Sequence, residues 1–207
     1  FQGHVVSNDL NARWAADLIS FVSRPATFKG VQYKYILLAQ DIFSRFLYAR
    51  LLTKVDQATA AFEEILGEAG TQPLMATFDG GPEFGKTWKA MLERRGIEAD
   101  VKAPEDKQAI ATLDRAIATL KRALTRRVAA GGESWASELE KAVRGLNSSS
   151  HSALQGEEPR DVANNDDLRF SLKKEAAEDA AENAEMIEAR QKALEKAGAY
   201  RVHQPPS

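Results

Sequence analysis

Three aspartates sit where a carboxylate needs a reason. Asp17 lies inside the apolar run Arg13-Trp14-Ala15-Ala16-Asp17-Leu18-Ile19-Ser20-Phe21, Asp79 ends the run 74–78 ahead of Gly80-Gly81-Pro82, and Asp114 follows Leu113 in a helical pattern. Asp is a poor strand former, and a carboxylate among apolar neighbours is costly unless something compensates it. A divalent cation would do so, and hard oxygen ligands select Mg²⁺ or Mn²⁺. Two such ions roughly 3.5–4 Å apart activate a water or hydroxyl and stabilise the leaving oxygen in phosphoryl transfer. Three carboxylates suffice to hold them. Taken singly, each aspartate has a plainer reading. A strand-end Asp forms turns or caps helices, and Asp114 beside Arg115 and Lys121 makes a solvated ion pair.

The elements that must position these acids follow from periodicity. Residues 13–21 read as a first strand, 33–40 as a second and 46–52 as a third, with the short link 41–45 predicting a hairpin. Pro25 and Gly30 mark 23–30 as a loop. Asp56 is placed as an N-cap before a helix carrying Ala58, Phe62, Ile65 and Leu66. Residues 74–78 form a fourth strand; Phe84, Trp88, Met91 and Leu92 a second helix face; and 97–101 a fifth strand. In the stretch 104–124, Ile110, Leu113, Ile117, Leu120 and Leu124 recur at helical spacing, and Asp114 and Lys121 share another line of that helix. Trp135, Leu139, Ala142, Val143 and Leu146 mark another helix, 151–167 reads as irregular, and 172–196 as a helix charged around most of its circumference. The order predicts an α/β fold: a mixed sheet of three meandering strands plus two alternating with helices, flanked by helices.

Composition narrows the function. The chain has 207 residues, 43% of them hydrophobic, and a formal net charge of −2, so any nucleic-acid surface must be local. With no cysteine, disulfides and cysteine zinc sites are excluded, and His4, His151 and His203 lack metal-ligand spacing. No apolar run reaches membrane-spanning length. Phe1-Gln2-Gly3 reads as the end of a tag-removal protease site, so residues 1–4 are set aside.

Jointly, the motifs resemble the catalytic core of retroviral and long-terminal-repeat retrotransposon integrases. Trp14-Ala15-Ala16-Asp17 is similar to the family's Trp-x-x-Asp, and Asp41-Ile42-Phe43-Ser44-Arg45 to its Asp-x-Phe-Ser-Arg. Asp79-Gly80-Gly81-Pro82-Glu83-Phe84 is similar to its Asp-x-Gly-x-Glu-Phe, and Asp114 with Leu120-Lys121 sits where the family has Glu and Leu-Lys. Asn147, His151, Gly156 and Pro159 resemble a later segment. The likeness runs over 13–162.

The resemblance implies a ribonuclease-H-like fold and a polynucleotidyl transferase that trims donor DNA ends and joins them to target DNA. Asp17, Asp79 and Asp114 would be catalytic and would bind two Mg²⁺ (or Mn²⁺). Lys121, with Arg115 and Arg122, would contact DNA in a basic segment that also holds Arg126 and Arg127. Asp41 and Glu83 would be structural or stand behind the ligands, and loop 103–109 would be mobile. The partners implied are DNA and further copies of the chain, as a homodimer or higher oligomer, in an intracellular setting that is nuclear in a eukaryotic host. The expected division is a core over 5–167 and a helical linker over 168–207, cut from a longer polyprotein.

One departure stands out. Asp114 replaces the family's Glu, after 34 intervening residues, one fewer than the retroviral pattern. Mariner-like transposases use three aspartates, so the chemistry tolerates the shorter acid, provided the helix sits closer or a water bridges. Glu105 and Asp106 are the alternative third ligands. Two rival functions stay open: a domesticated or decayed core that binds DNA or dimerises without cleaving, and a plain nuclease on the same fold.

Overall fold

Two apolar segments, 13–20 and 35–41, form inner strands of the central sheet. The computed structural model describes residues 9–102 and 111–201. In chain order the elements are β1 (Arg13–Ser20), β2 (Ala26–Phe28), β3 (Val31–Tyr33), β4 (Tyr35–Asp41), β5 (Leu47–Leu52), α1 (Ala58–Ala69), β6 (Met75–Phe78), α2 (Lys86–Arg95), β7 (Glu98–Val101), α3 (Ala111–Ala129), α4 (Trp135–Asn147), α5 (Pro159–Asn164) and α6 (Asp166–Arg201). Five strands form one sheet in the order β5-β4-β1-β6-β7. β1, β4 and β5 pair antiparallel, whereas β1–β6 and β6–β7 pair parallel. This is the mixed α/β architecture that the element order predicts.

Both faces of the sheet are covered, which is why β4 is buried along nearly its whole length rather than at alternate residues. On one face Trp14, Ala16, Leu37, Ala39 and Phe78 meet Phe62 and Ile65 of α1 and Trp88, Met91 and Leu92 of α2. Trp88 is the hub, with its ring 4.7 Å from those of both Phe62 and Phe84. On the other face Ala15, Ile19, Ile36 and Leu38 meet Leu113, Leu120 and Leu124 of α3 and Leu139 and Ala142 of α4. Ile117 packs there only partly buried, and Ile110 lies outside the described residues.

Local chemistry sets the ends. Gly70 and Gly96 take left-handed conformations (φ 62° and 68°) that close α1 and α2. Asp41 locks the β4–β5 hairpin. Its Oδ1 accepts from the Ser44 N–H at 2.6 Å and the Ser44 hydroxyl at 2.7 Å, and its Oδ2 accepts from the Asn11 N–H at 2.8 Å. On the β5 side of the same turn, the Asn147 amide clasps Leu47, accepting from its N–H at 2.8 Å and donating to its carbonyl at 2.9 Å.

Several local expectations change. Residues 23–30 are not all loop, because β2 and β3 form a separate two-stranded hairpin whose turn places both Lys29 (φ 49°) and Gly30 (φ 77°) in the left-handed region. Asp56 does not cap α1. It lies inside a 3₁₀ turn, Val55–Gln57, and Gln57 precedes the helix while its side-chain carbonyl accepts from the Thr53 and Lys54 N–H groups. Within 151–167, Pro159 starts α5 from the position where its missing N–H costs nothing. α6 is longer than 172–196, with 36 residues. The described chain forms two compact units, one ending at Asn165 and the other starting at Asp166.

Candidate active site

Sheet register brings Asp17 and Asp79 together. The parallel pairs Arg13–Met75, Trp14–Ala76 and Ala15–Thr77 keep a constant offset of 62, and the same offset carried two residues on sets Asp17 level with Asp79. Strand alternation then fixes the face. Ala15 and Ile19 pack toward α3 and α4, so Asp17 between them faces the same way. Phe78 is held in the opposite core, so Asp79 alternates onto the α3 side.

The carboxylates are sparsely satisfied. Asp17 is half-buried and accepts from the N–H of its own neighbour Leu18 at 2.7 Å. Burial pushes its carboxyl up to about 6; the Leu18 bond opposes this, and the negative charges of Asp79, Asp114 and Glu83 add to it. Asp79 accepts from the Gly81 N–H at 2.9 Å, a tight turn after the strand. Glu83 folds back over that turn, so a Cβ at Gly81 would sit 2.7 Å from the Glu83 carboxyl carbon. Phe84, 2% exposed, pins the turn to the core. Glu83 therefore stands among the acids as a fourth negative charge.

Asp114 is placed differently. It is exposed in the first described turn of α3, beside the fully buried Leu113. Its charge reaches Asp17. Among the described residues no group of three or more His, Cys, Asp or Glu side chains lies close enough together to hold a metal ion. The sheet thus delivers two acids side by side and the helix brings a third within electrostatic range. All are hard carboxylate oxygens, the donor chemistry that suits Mg²⁺. Glu105, Asp106 and loop 103–109 lie outside the described residues, as do His4 and His203.

The basic residues of α3 divide. Lys121, Arg122 and Arg126 are exposed. Arg127 is not free, since its Nη1 pairs with Glu138 Oε2 on α4 at 3.6 Å. Arg115 lines a cavity beside Arg45 and His151. Asp41 is fully engaged in the hairpin.

One cluster escapes motif reading. The Arg13 guanidinium pairs with Asp100 and donates from Nε to Thr77 Oγ1 at 2.6 Å, and Thr77 donates to Asp100 Oδ2 at 3.0 Å. Thr77 is fully buried, so the triangle ties together β1, β6 and β7 two residues below the paired aspartates. Its sequence signal is a threonine two residues before Asp79 and an arginine before Trp14, both easily taken for filler.

No protein-family model matches the chain, and no curated protein matches it. Solved structures do. The HTLV-2 integrase catalytic core domain in complex with magnesium, in its trimeric form, superposes with a TM-score of 0.59 at 17% identity, covering 74% of this chain and 97% of that one. The BIV integrase catalytic core domain gives 0.58 at 18% identity, covering 74% and 93%. A chain of the simian T-cell lymphotropic virus intasome in complex with PP2A regulatory subunit B56 gamma gives 0.55 at 17% identity, covering 67% of this chain and 49% of that one. At such identities the likeness speaks for architecture, and the chain has the fold of the retroviral integrase catalytic core.

Proposed function

We propose that this chain is the catalytic core of an integrase, a divalent-metal-dependent polynucleotidyl transferase that trims the 3′ ends of a retroelement DNA and joins them to target DNA. The observation that supports this reading is the parallel β1–β6 register, whose offset, continued past Ala15–Thr77, would put Asp17 opposite Asp79 just beyond the end of β6. Asp17 and Asp79 would share a cation, and Asp114 would complete the set through a bridging water or a small approach of α3. Mg²⁺ or Mn²⁺ held there, two ions per site, would supply Lewis-acid activation and charge neutralisation for in-line phosphoryl transfer.

The chain's own groups have separate tasks. Asp17, pushed up by burial and by its acidic neighbours, is a carboxylate whose ionisation a cation would favour. The Asp79–Gly81 bond orients Asp79. Lys121 and Arg122 would hold DNA phosphates along α3, together with Arg115. Residues 5–167 would be the core and 168–207 a linker. Related folds are solved as "dimeric" and "trimeric" forms, which supports self-association.

A second reading, a decayed core that binds DNA without cutting it, draws on the exposure of Asp114. Incubation of the chain with a labelled donor duplex separates the two. Transferase function predicts strand nicking with Mn²⁺, none with EDTA, and none from Asp79→Asn. Binding without nicking under any metal would favour decay, and nicking that survives Asp79→Asn would refute the site.

A further inference from the structure

The segments Asp41–Arg45 and Asn147–Pro159 carry motif residues that the carboxylate site does not use. Chain folding brings them together. Arg45 at the β4–β5 turn, Arg115 on α3, and Ser149, Ser150 and His151 after α4 line one cavity of about 300 Å³, with Gln40 of β4 at its wall.

The cavity is unusual in charge. It presents two guanidinium groups and no Asp or Glu among its lining residues. The charge of Asp41 acts on Arg45, but its oxygens already accept from Asn11 and Ser44. Arg45 Nε and Nη1 are enclosed without a hydrogen-bond partner, and so is Gln40 Oε1. Arg45 also holds a left-handed backbone, φ 64°, which a non-glycine residue adopts at a cost. Burial disfavours the Arg45 charge most; Asp41 offsets part of this and the nearby Arg115 adds to it. Like charges facing an enclosed space, with N–H groups left unpaired, are destabilising unless an anion joins them.

Neutral donors complete the wall. His151 Nδ1 accepts from the Ala153 N–H at 3.2 Å, which leaves the ring proton on Nε2 as a donor. Burial and the charge of Arg45 hold the imidazole below its usual range, so it is neutral at pH 7. The loop that presents it is tied down, with the His151 N–H bonded to Glu157 O and the Gly156 N–H to His151 O, both at 3.1 Å. Donors on three separate elements suit a tetrahedral oxoanion better than a planar carboxylate, which one arginine fork would satisfy.

We propose that this cavity, formed by Arg45, Arg115, Ser150 and His151, is a binding site for a phosphate group. The phosphate can come from a DNA backbone or from a small phosphate ester. The site shares Arg115 with the DNA contacts proposed above, but it excludes the paired aspartates and needs no divalent metal, so loss of phosphate binding and loss of metal-dependent nicking are read separately.

The test follows the His151 ring signals by NMR in the metal-free full chain, titrated with inorganic phosphate against chloride at matched ionic strength. The expected result is a saturable shift with phosphate alone. Arg115→Gln, an exposed position where folding is not at stake, weakens binding about tenfold, the size of one lost charge-assisted hydrogen bond. Arg45→Gln abolishes saturation, and Arg126→Gln changes nothing. A shift that never saturates, that chloride reproduces, or that Arg115→Gln leaves intact overturns the proposal. Competition by short duplex DNA assigns the phosphate to a nucleic-acid backbone, whereas phosphate saturation undisturbed by duplex assigns it to a small ester.

Discussion

Asp17 and Asp41 occupy adjacent antiparallel strands and both belong to motif blocks, yet their surroundings are opposite. Asp41 is 1% exposed and closed, with both oxygens filled by N–H and O–H donors from Asn11 and Ser44. Asp17 is half-buried, accepts from the N–H next to it, and faces three further acids. A carboxylate whose lone pairs are spent on the chain builds structure, and one left short of donors among like charges is prepared for a cation.

The largest effects separate the two by kind. Asp17→Asn and Asp79→Asn are expected to cut metal-dependent nicking by at least ~10²-fold with the circular dichroism spectrum unchanged. Asp41→Ala strands the Asn11 and Ser44 donors and is expected to cost about 3 kcal/mol in urea unfolding, with activity falling only as the protein unfolds. If the two variants exchanged phenotypes, the comparison would be wrong.

Proton linkage sharpens it. The folded Asp17 carboxyl keeps its proton to about pH 6, while the unfolded one releases it near 3.8. Between those values the unfolded state binds fewer protons, so stability falls as pH rises and levels off above about 6. The loss is on the order of 3 kcal/mol for the metal-free protein. Asp17→Asn flattens that slope and leaves the metal-free protein more stable at neutral pH, as read from thermal melts across pH 4–7. An unchanged slope in the variant would assign the titration elsewhere. The smallest effect concerns the third acid: Asp114→Glu is expected to keep or modestly raise nicking, while Asp114→Ala lowers it. An unaffected Asp114→Ala variant would move the third ligand to Glu105 or Asp106.

Much of the framework was legible in the sequence because burial enforces period. The apolar run of β1 marked a strand, and the helical spacing of Leu113, Leu120 and Leu124 left little choice of helix face. Short elements were not. β2 has three residues and its turn has Lys ahead of Gly, so Pro25 and Gly30 read as loop. Asp56 has the chemistry of a cap, but a 3₁₀ turn ahead of α1 took it inside. At the site, the aspartates were visible as costly residues, and the offset that pairs two of them came only from strand register. The Arg13–Thr77–Asp100 triangle had only a faint signal, since its members are ordinary until three strands align. Arg115 and Arg122 look alike on paper, and only the fold of the 148–159 segment turns one of them toward a cavity.

The account depends on Asp17 and Asp79 sharing a cation. Crystals soaked in Mn²⁺ and measured for anomalous scattering test this directly. The account predicts a peak in contact with both carboxylates, lost in Asp79→Asn. Ordered Asp17 and Asp79 side chains with no peak between them, or a peak bound without either, would contradict it.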